Sequence, residues 1–273
     1  MSKTFGFIGC GNMGGALAQA VAKTVSGNNV LLCDASTEKA EALAKATGGS
    51  VVSLATLVGA TVFGQADYIF LGVKPQGFEG LFEALRPMLK ERETAPVLVS
   101  MAAGVSIAAV EKLAGRACPV IRIMPNTPVA VGEGMILYAH NELVTAKMLD
   151  EFCKALSKAG VLDAIAEDKI DAASALSGCG PAFVYLFAEA LADGAVSCGL
   201  ARDKAMLYAA QTLRGAAELL ITSGKHPGEL KDAVCSPGGT TIEGVKALEN
   251  GAFRASAMAA VTAAYEKTLK LKK

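Results

Sequence analysis

Two stretches of this chain carry residues whose types and spacing suit chemistry. The first is "CSPGGTT", Cys235 to Thr241, which sets two adjacent glycines, a proline and three hydroxyls between segments that read as helices. Gly238, Gly239 and the first-turn N–H groups of the following helix can form a concave row of donors, sized for a carboxylate. Ser236, Thr240 and Thr241 add hydroxyls to the same rim. The same residues also suit a plain helix–helix turn. Thr240 or Thr241 can then cap the new helix, with Glu243 three residues after Thr240 as in a capping box. Both readings stand on the residues alone.

The second stretch is "GFIGCGNMGGALA" near the start. Gly9, Gly11 and Gly14 follow an apolar run and precede apolar residues at helical spacing. In a strand–loop–helix unit, Gly9 permits the tight turn and Gly11 lets the backbone approach a pyrophosphate. Gly14 lets helix and strand pack closely. Asn12 and Met13 lie inside the motif and are counted with it. "NVLLCD" then reads as a second strand ending in Asp34, about twenty residues past the last glycine, where an acid binds the ribose 2′-hydroxyl. A 2′-phosphate would meet that charge, which favours NADH. Lys39 or a rotated Asp34 is the route by which NADPH is accommodated.

The remaining pattern says what holds these stretches. Strand-like and helix-like segments alternate through "VLDAIA", which predicts a parallel or mixed sheet covered on both faces. Ligands bind such sheets beyond the carboxyl ends of the strands. "VKPQ", "SMAAG" and "MPNTP" occupy that edge, so Val73, Lys74, Pro75, Ala102, Gly104 and Asn126 are expected along the nicotinamide. From about Asp168 only helical segments follow. The fold expected is an α/β Rossmann-type doubly wound sheet over 1–166, followed by an all-α dimerisation domain over 167–273. The segment from Pro181 is apolar almost all round, which predicts burial on more than one face and a subunit interface.

Bulk properties narrow the function. Twenty-six basic residues balance twenty-six acidic ones, so nothing marks a nucleic-acid or anionic-membrane footprint. The apolar runs 95–110 and 172–188 contain breakers and are expected not to span a membrane. Seven cysteines without a CxxC pair, and no leader before the first strand, point to free thiols in the cytoplasm. His140 and His226 are the two histidines, and no metal site is expected.

Taken in order and spacing, "GFIGCGNMGGALA", "VKPQ", "SGCGPAF" and "LKDAVCSPGGTTIEGVKALE" resemble the pyrroline-5-carboxylate reductases across essentially the whole chain. The resemblance implies reduction of Δ1-pyrroline-5-carboxylate to L-proline with NADPH or NADH, the last step of proline biosynthesis. It implies a homodimer interlocked through the helical domain, with dimers assembling into decamers in several members. It also implies that Ser236, Gly238, Gly239, Thr240 and Thr241 cradle the substrate carboxylate, with Thr241 by the ring nitrogen. Four positions stand apart from the family's usual pattern. Cys179 stands where many members have Ser, Ala233 and Cys235 sit at variable loop positions, and Gly59 replaces an Asn on the adenosine side.

The chemistry agrees with the scarcity of histidine. A carbonyl reductase needs a proton donor for the developing alkoxide. A protonated cyclic imine is already an electrophile and needs mainly alignment. Thr241 is the catalytic candidate, and Lys74 reads as a cofactor-side residue. Two alternatives remain at this level: a related imine reductase or β-hydroxyacid dehydrogenase, and a non-catalytic dinucleotide sensor. The helix "GCGPAFVYLFAEA" lacks the Lys and Asn of the hydroxyacid group.

Overall fold

Short apolar runs rich in β-branched, aromatic and leucine residues become the central strands of the computed structural model, which describes residues 3–53 and 63–271. Gly59 lies outside the described residues. The strands are β1 (Phe5–Ile8), β2 (Val30–Cys33), β3 (Ser50–Val51), β4 (Tyr68–Leu71), β5 (Val97–Ser100), β6 (Val120–Met124), β7 (Gly134–His140) and β8 (Gly160–Ala164). They form one sheet in the order β3-β2-β1-β4-β5-β6-β7-β8. Every neighbouring pair is parallel except β6 and β7. That exception follows from chain length. Only the short turn around Thr127–Val131 separates the two strands, too little for the helical crossover a parallel return requires.

Helices α1 (Asn12–Ala22), α2 (Thr37–Thr47), α3 (Phe78–Glu91), α4 (Ile107–Ala114) and α5 (Ala146–Ala155) cover the sheet. Side chains alternate across it. Phe5, Phe7, Tyr68, Phe70, Val97 and Val99 enter one apolar cluster with α1 and α5, while Ile69, Leu71 and Leu98 enter another with α3. The Phe7 and Phe70 rings stack at 4.5 Å and those of Phe5 and Tyr68 at 5.0 Å. Each such side chain contributes about 1.5–3 kcal/mol by leaving water.

Contacts divide the chain into Met1–Gly178 with Tyr265–Lys273, and Cys179–Ala264. A division after residue 166 puts α6 (Ile170–Ser177) with the helical half; by contacts it belongs to the sheet. Two side chains fix it there. Ile170 is buried in the sheet's core, and Asp171 pairs with the buried Arg122 of β6 at 3.0 Å.

The second unit holds α7 (Gly180–Ser197), α8 (Arg202–Ser223), α9 (Pro227–Ala233), α10 (Thr240–Asn250) and most of α11 (Phe253–Leu271). Pro181 sits in the first turn of α7, where a missing N–H costs nothing. Its core is thin: Ala192, Ala205 and Ala209 are its buried apolar residues, between α7 and α8. Val184, Tyr185 and Leu186 of α7 stay exposed, Leu186 at 69%. The stretch Glu167–Ser197 is long and apolar enough to cross a membrane by length and composition. It is broken at Gly178–Cys179, and its first half carries the Asp171–Arg122 pair.

Candidate active site

Register places the site. Ile8 of β1 lies beside Leu71 of β4, which lies beside Ser100 of β5, and Ser100 lies beside Arg122 of β6. These strands run parallel, so the loops after them leave along one edge. Chain order reverses at β1, which has β2 on one side and β4 on the other. That switch point is where a doubly wound sheet opens to a dinucleotide.

Each glycine of the first loop has its own reason. Gly9 has φ +101°, and a Cβ there would stand 2.6 Å from the Gly72 carbonyl oxygen. A Cβ on Gly14 would stand 2.0 Å from the Gly9 oxygen, so α1 packs against the loop's backbone. A Cβ on Gly11 would meet nothing within 4 Å. Protein packing does not demand a glycine at Gly11; the open space above it suits close approach by a ligand. Gly11 is also the N-cap of α1, no side chain bonds there, and no acid lies in the first turn. No side chain of α1 itself offsets its positive end, and its first-turn N–H groups are available to phosphate. Asn12 is exposed beside them, whereas Met13 packs partly against the core.

Asp34 follows β2, and both its carboxylate oxygens are engaged. Oδ2 accepts from the Cys10 N–H at 2.6 Å and Oδ1 from the Ser36 N–H at 2.8 Å. The Gly9 N–H also donates to the Cys33 carbonyl at 2.8 Å, so the glycine loop is tied to the end of β2 twice. Burial first, then the charges of Asp34 and Cys33, push the Cys10 thiol up to about 12. It is a packing group, not a nucleophile.

The neighbouring loops divide into lining and scaffold. Lys74 is exposed ahead of a short turn opened by Pro75, and Val73 packs partly into the core. Ala102 is buried and Gly104 has φ +76°. Asn126 serves the scaffold: its Oδ1 accepts from the Met135 N–H and its Nδ2 donates to the Ser177 carbonyl, each at 2.9 Å. Sequence reasoning missed Gly72, whose backbone closes against Gly9; "LGVKP" carries the signal in a glycine ending a buried strand. It also missed the Arg122 cluster, in which Glu167 bonds Arg122 at 3.1 Å and the first N–H of α4 at 2.8 Å.

In the second unit, Ser236-Pro237-Gly238-Gly239 forms a tight turn closed by the Gly239 N–H on the Ser236 carbonyl at 3.0 Å. Proline second and glycine third, with Gly238 at φ +67°, is the type II pattern. Gly239 is extended, ψ 170°, and is the N-cap of α10; no side chain caps it. The expected threonine cap and capping box are therefore not formed. The helix starts one residue early, Thr240 and Thr241 lie inside its first turn, and Glu243 pairs with Lys246 at 3.4 Å. Among the described residues, the hydroxyls of Ser236, Thr240 and Thr241 have no hydrogen-bond partner. A Cβ on Gly239 would stand 2.4 Å from the Ser236 Oγ, so glycine there keeps that hydroxyl in place.

Residues 167–271 match the family model described as pyrroline-5-carboxylate reductase dimerisation, and residues 4–104 the one described as NADP oxidoreductase, coenzyme F420-dependent. The chain is 38% identical to the pyrroline-5-carboxylate reductase of Escherichia coli (strain K12), with all of both chains covered. It is 42% identical to pyrroline-5-carboxylate reductase 3 of Danio rerio over 97% of this chain and 90% of that one. Among solved structures it is similar to the Plasmodium falciparum pyrroline carboxylate reductase with NADP bound. That likeness has 32% identity and a TM-score of 0.85, with 99% of this chain and 98% of that one covered. A sheet whose switch point bears an open glycine loop, a helical unit with an uncapped SPGGTT turn, and full-length likeness agree: the chain belongs to the pyrroline-5-carboxylate reductase family.

Proposed function

We propose that the loops following β1, β4 and β5 seat NADPH or NADH, and that Cys235–Thr241 receives the substrate carboxylate. The activity is the reduction of Δ1-pyrroline-5-carboxylate to L-proline, the closing step of proline biosynthesis. The observation that carries the substrate placement is the uncapped amino end of α10 beside three unpartnered hydroxyls. A capped end has its donors spent; this one offers the first-turn N–H groups and a positive dipole to an anion.

When bound, NAD(P)H supplies the hydride. This chain's residues bind and orient. Gly11, Asn12 and the first turn of α1 hold the pyrophosphate, and Val73, Lys74, Pro75, Ala102 and Gly104 line the adjoining edge. Asn126 keeps its turn rigid. Gly238, Gly239 and Thr240 fix the carboxylate, and the Thr241 hydroxyl hydrogen-bonds the ring nitrogen. A protonated imine becomes a neutral amine on reduction, so no group of the protein must deliver a proton to an oxyanion.

The exposed apolar face of α7 supports a homodimer through the helical unit. Seven free cysteines support a reducing, cytoplasmic location. The test is NAD(P)H oxidation with pyrroline-5-carboxylate beside a panel of open-chain ketones, 3-hydroxyacid-derived ketones and larger cyclic imines. The five-membered carboxylated imine should be turned over fastest. A faster 3-oxoacid would move the chain to the hydroxyacid dehydrogenases, and no turnover would make it a dinucleotide sensor.

A further inference from the structure

We propose that Glu167 is a positioning residue for hydride transfer, fixing the loop 101–106 against which the nicotinamide is aligned. The inference rests on the reading that this loop lines the cofactor. Its central residues are Ala102, Ala103 and Gly104, with Gly104 at φ +76°. Side chains this small make few contacts, so the loop's place is decided at its ends. Both ends lead to one buried guanidinium. Ser100, where β5 delivers the chain into the loop, is the register partner of Arg122 on β6. At the far end the Ile107 N–H, the first of α4, donates to Glu167 Oε1 at 2.8 Å. The same oxygen accepts from Arg122 Nη1 at 3.1 Å, and Arg122 is 3% exposed. Arg122 Nη2 donates to Asp171 at 3.0 Å, so the guanidinium is itself held.

The Glu167 bond is not needed to start the helix. Ser106 is already the N-cap of α4, its hydroxyl accepting from the Ala109 N–H at 3.2 Å. Glu167 comes from 60 residues further on and takes a second N–H of the first turn. A carboxylate suits the positive end of a helix. A buried ion pair is also a weak source of net stability, because desolvation offsets the attraction. What this one supplies is a place. The head of α4, and with it the end of the loop, is pinned to β6, the strand beside β5 in the sheet.

The test sets reach against charge in the full chain. Glu167→Gln keeps the acceptor's reach and loses the charge. Glu167→Asp keeps the charge and loses the reach, and Glu167→Ala loses both. In the free protein, hydrogen exchange across 101–110, read by mass spectrometry, should quicken in Glu167→Asp and Glu167→Ala and stay slow in Glu167→Gln. With NADH and pyrroline-5-carboxylate, kcat should fall about tenfold in the first two, within the roughly 10²-fold that a displacement of about 1 Å can cost. Their deuterium isotope effect, with NADH labelled at C4, should rise as hydride transfer becomes the slower step, while the Kd for NADH by calorimetry stays native. Glu167→Gln should keep most of the rate. Asp171→Asn disturbs the same guanidinium without touching α4, and should lower the urea midpoint with kcat kept. Native kcat and isotope effect in Glu167→Asp and Glu167→Ala overturn the proposal. So does an equal loss of kcat in Asp171→Asn, which would make the rate follow stability. A native chain that binds NADH and reduces no imine sinks the substrate reading alone. Exchange across 101–106 then decides: slowing on addition of NADH, lost in Glu167→Ala and kept in Glu167→Gln, upholds Glu167, and no such slowing overturns it.

Discussion

Thr241 occupies the second position of α10 and caps nothing, so its two candidate jobs now part cleanly. Replacing a capping threonine costs about 0.5–2 kcal/mol. Thr241→Ala should cost none of that, since alanine is the better helix former. Its kcat should fall by up to roughly 10²-fold, the effect of losing one transition-state hydrogen bond. Thr241→Ser should restore most of the rate. A variant that melts early with native kinetics would return the residue to structure alone. The buried thiols give a second prediction at this scale. Burial pushes Cys10 up to about 12 and, with the charge of Glu111, Cys118 up to about 11, against an ordinary value of 9.0. Between those values the folded chain holds protons that the unfolded chain has released. Stability is therefore full below about pH 9 and lost as pH rises towards 11 and 12. Thermal melts from pH 7 to 10.5 should show Cys118→Ala losing less stability with pH than the native chain. Equal slopes would contradict this.

At the scale of elements, the sheet was legible because buried parallel strands read as short apolar runs between helices, as "DYIFLGV" does for β4. The glycine loop was legible because its spacing is set by backbone sterics that hold in any such unit. Two features were not legible from the residues that carry them. Asp34 was placed correctly at the end of β2, but its bond to the Cys10 N–H appears only when the glycine loop meets that strand end; its bond to the Ser36 N–H is local. The threonines after Gly239 read as caps because capping signals are local, while the helix start was decided by the type II turn before it. The Arg122–Asp171 pair is a third case, tying α6 to β6 across 49 residues. Asp171→Ala would leave a buried guanidinium with Glu167 alone. Removing one member of a buried pair costs about 3–5 kcal/mol, and the surviving partner puts this case near the lower figure. Urea unfolding should show that loss. A change under about 1 kcal/mol would mean the cluster is hydrated and contributes little.

The whole molecule combines a sheet unit with a well-buried core and a helical unit whose own core is three alanines. The apolar surface exposed on α7 lies within the range matched by the dimerisation model, which is why a second copy is proposed to cover it. Leu186→Asp changes a side chain 69% exposed in the single chain, so folding of that chain should be altered by no more than about 0.5 kcal/mol. In sedimentation the variant should run as a monomer where the native chain runs as a dimer or larger. An unchanged mass would place the interface elsewhere. The central claim concerns hydride delivery to a cyclic imine, and one measurement addresses it directly. NADH carrying deuterium at the transferring C4 position is incubated with the protein and pyrroline-5-carboxylate, and the product is read by mass spectrometry and NMR. The account predicts L-proline with one deuterium on the ring carbon beside nitrogen that does not bear the carboxylate, in step with NADH consumed. Label lost to water, or NADH consumed without labelled proline, would contradict it.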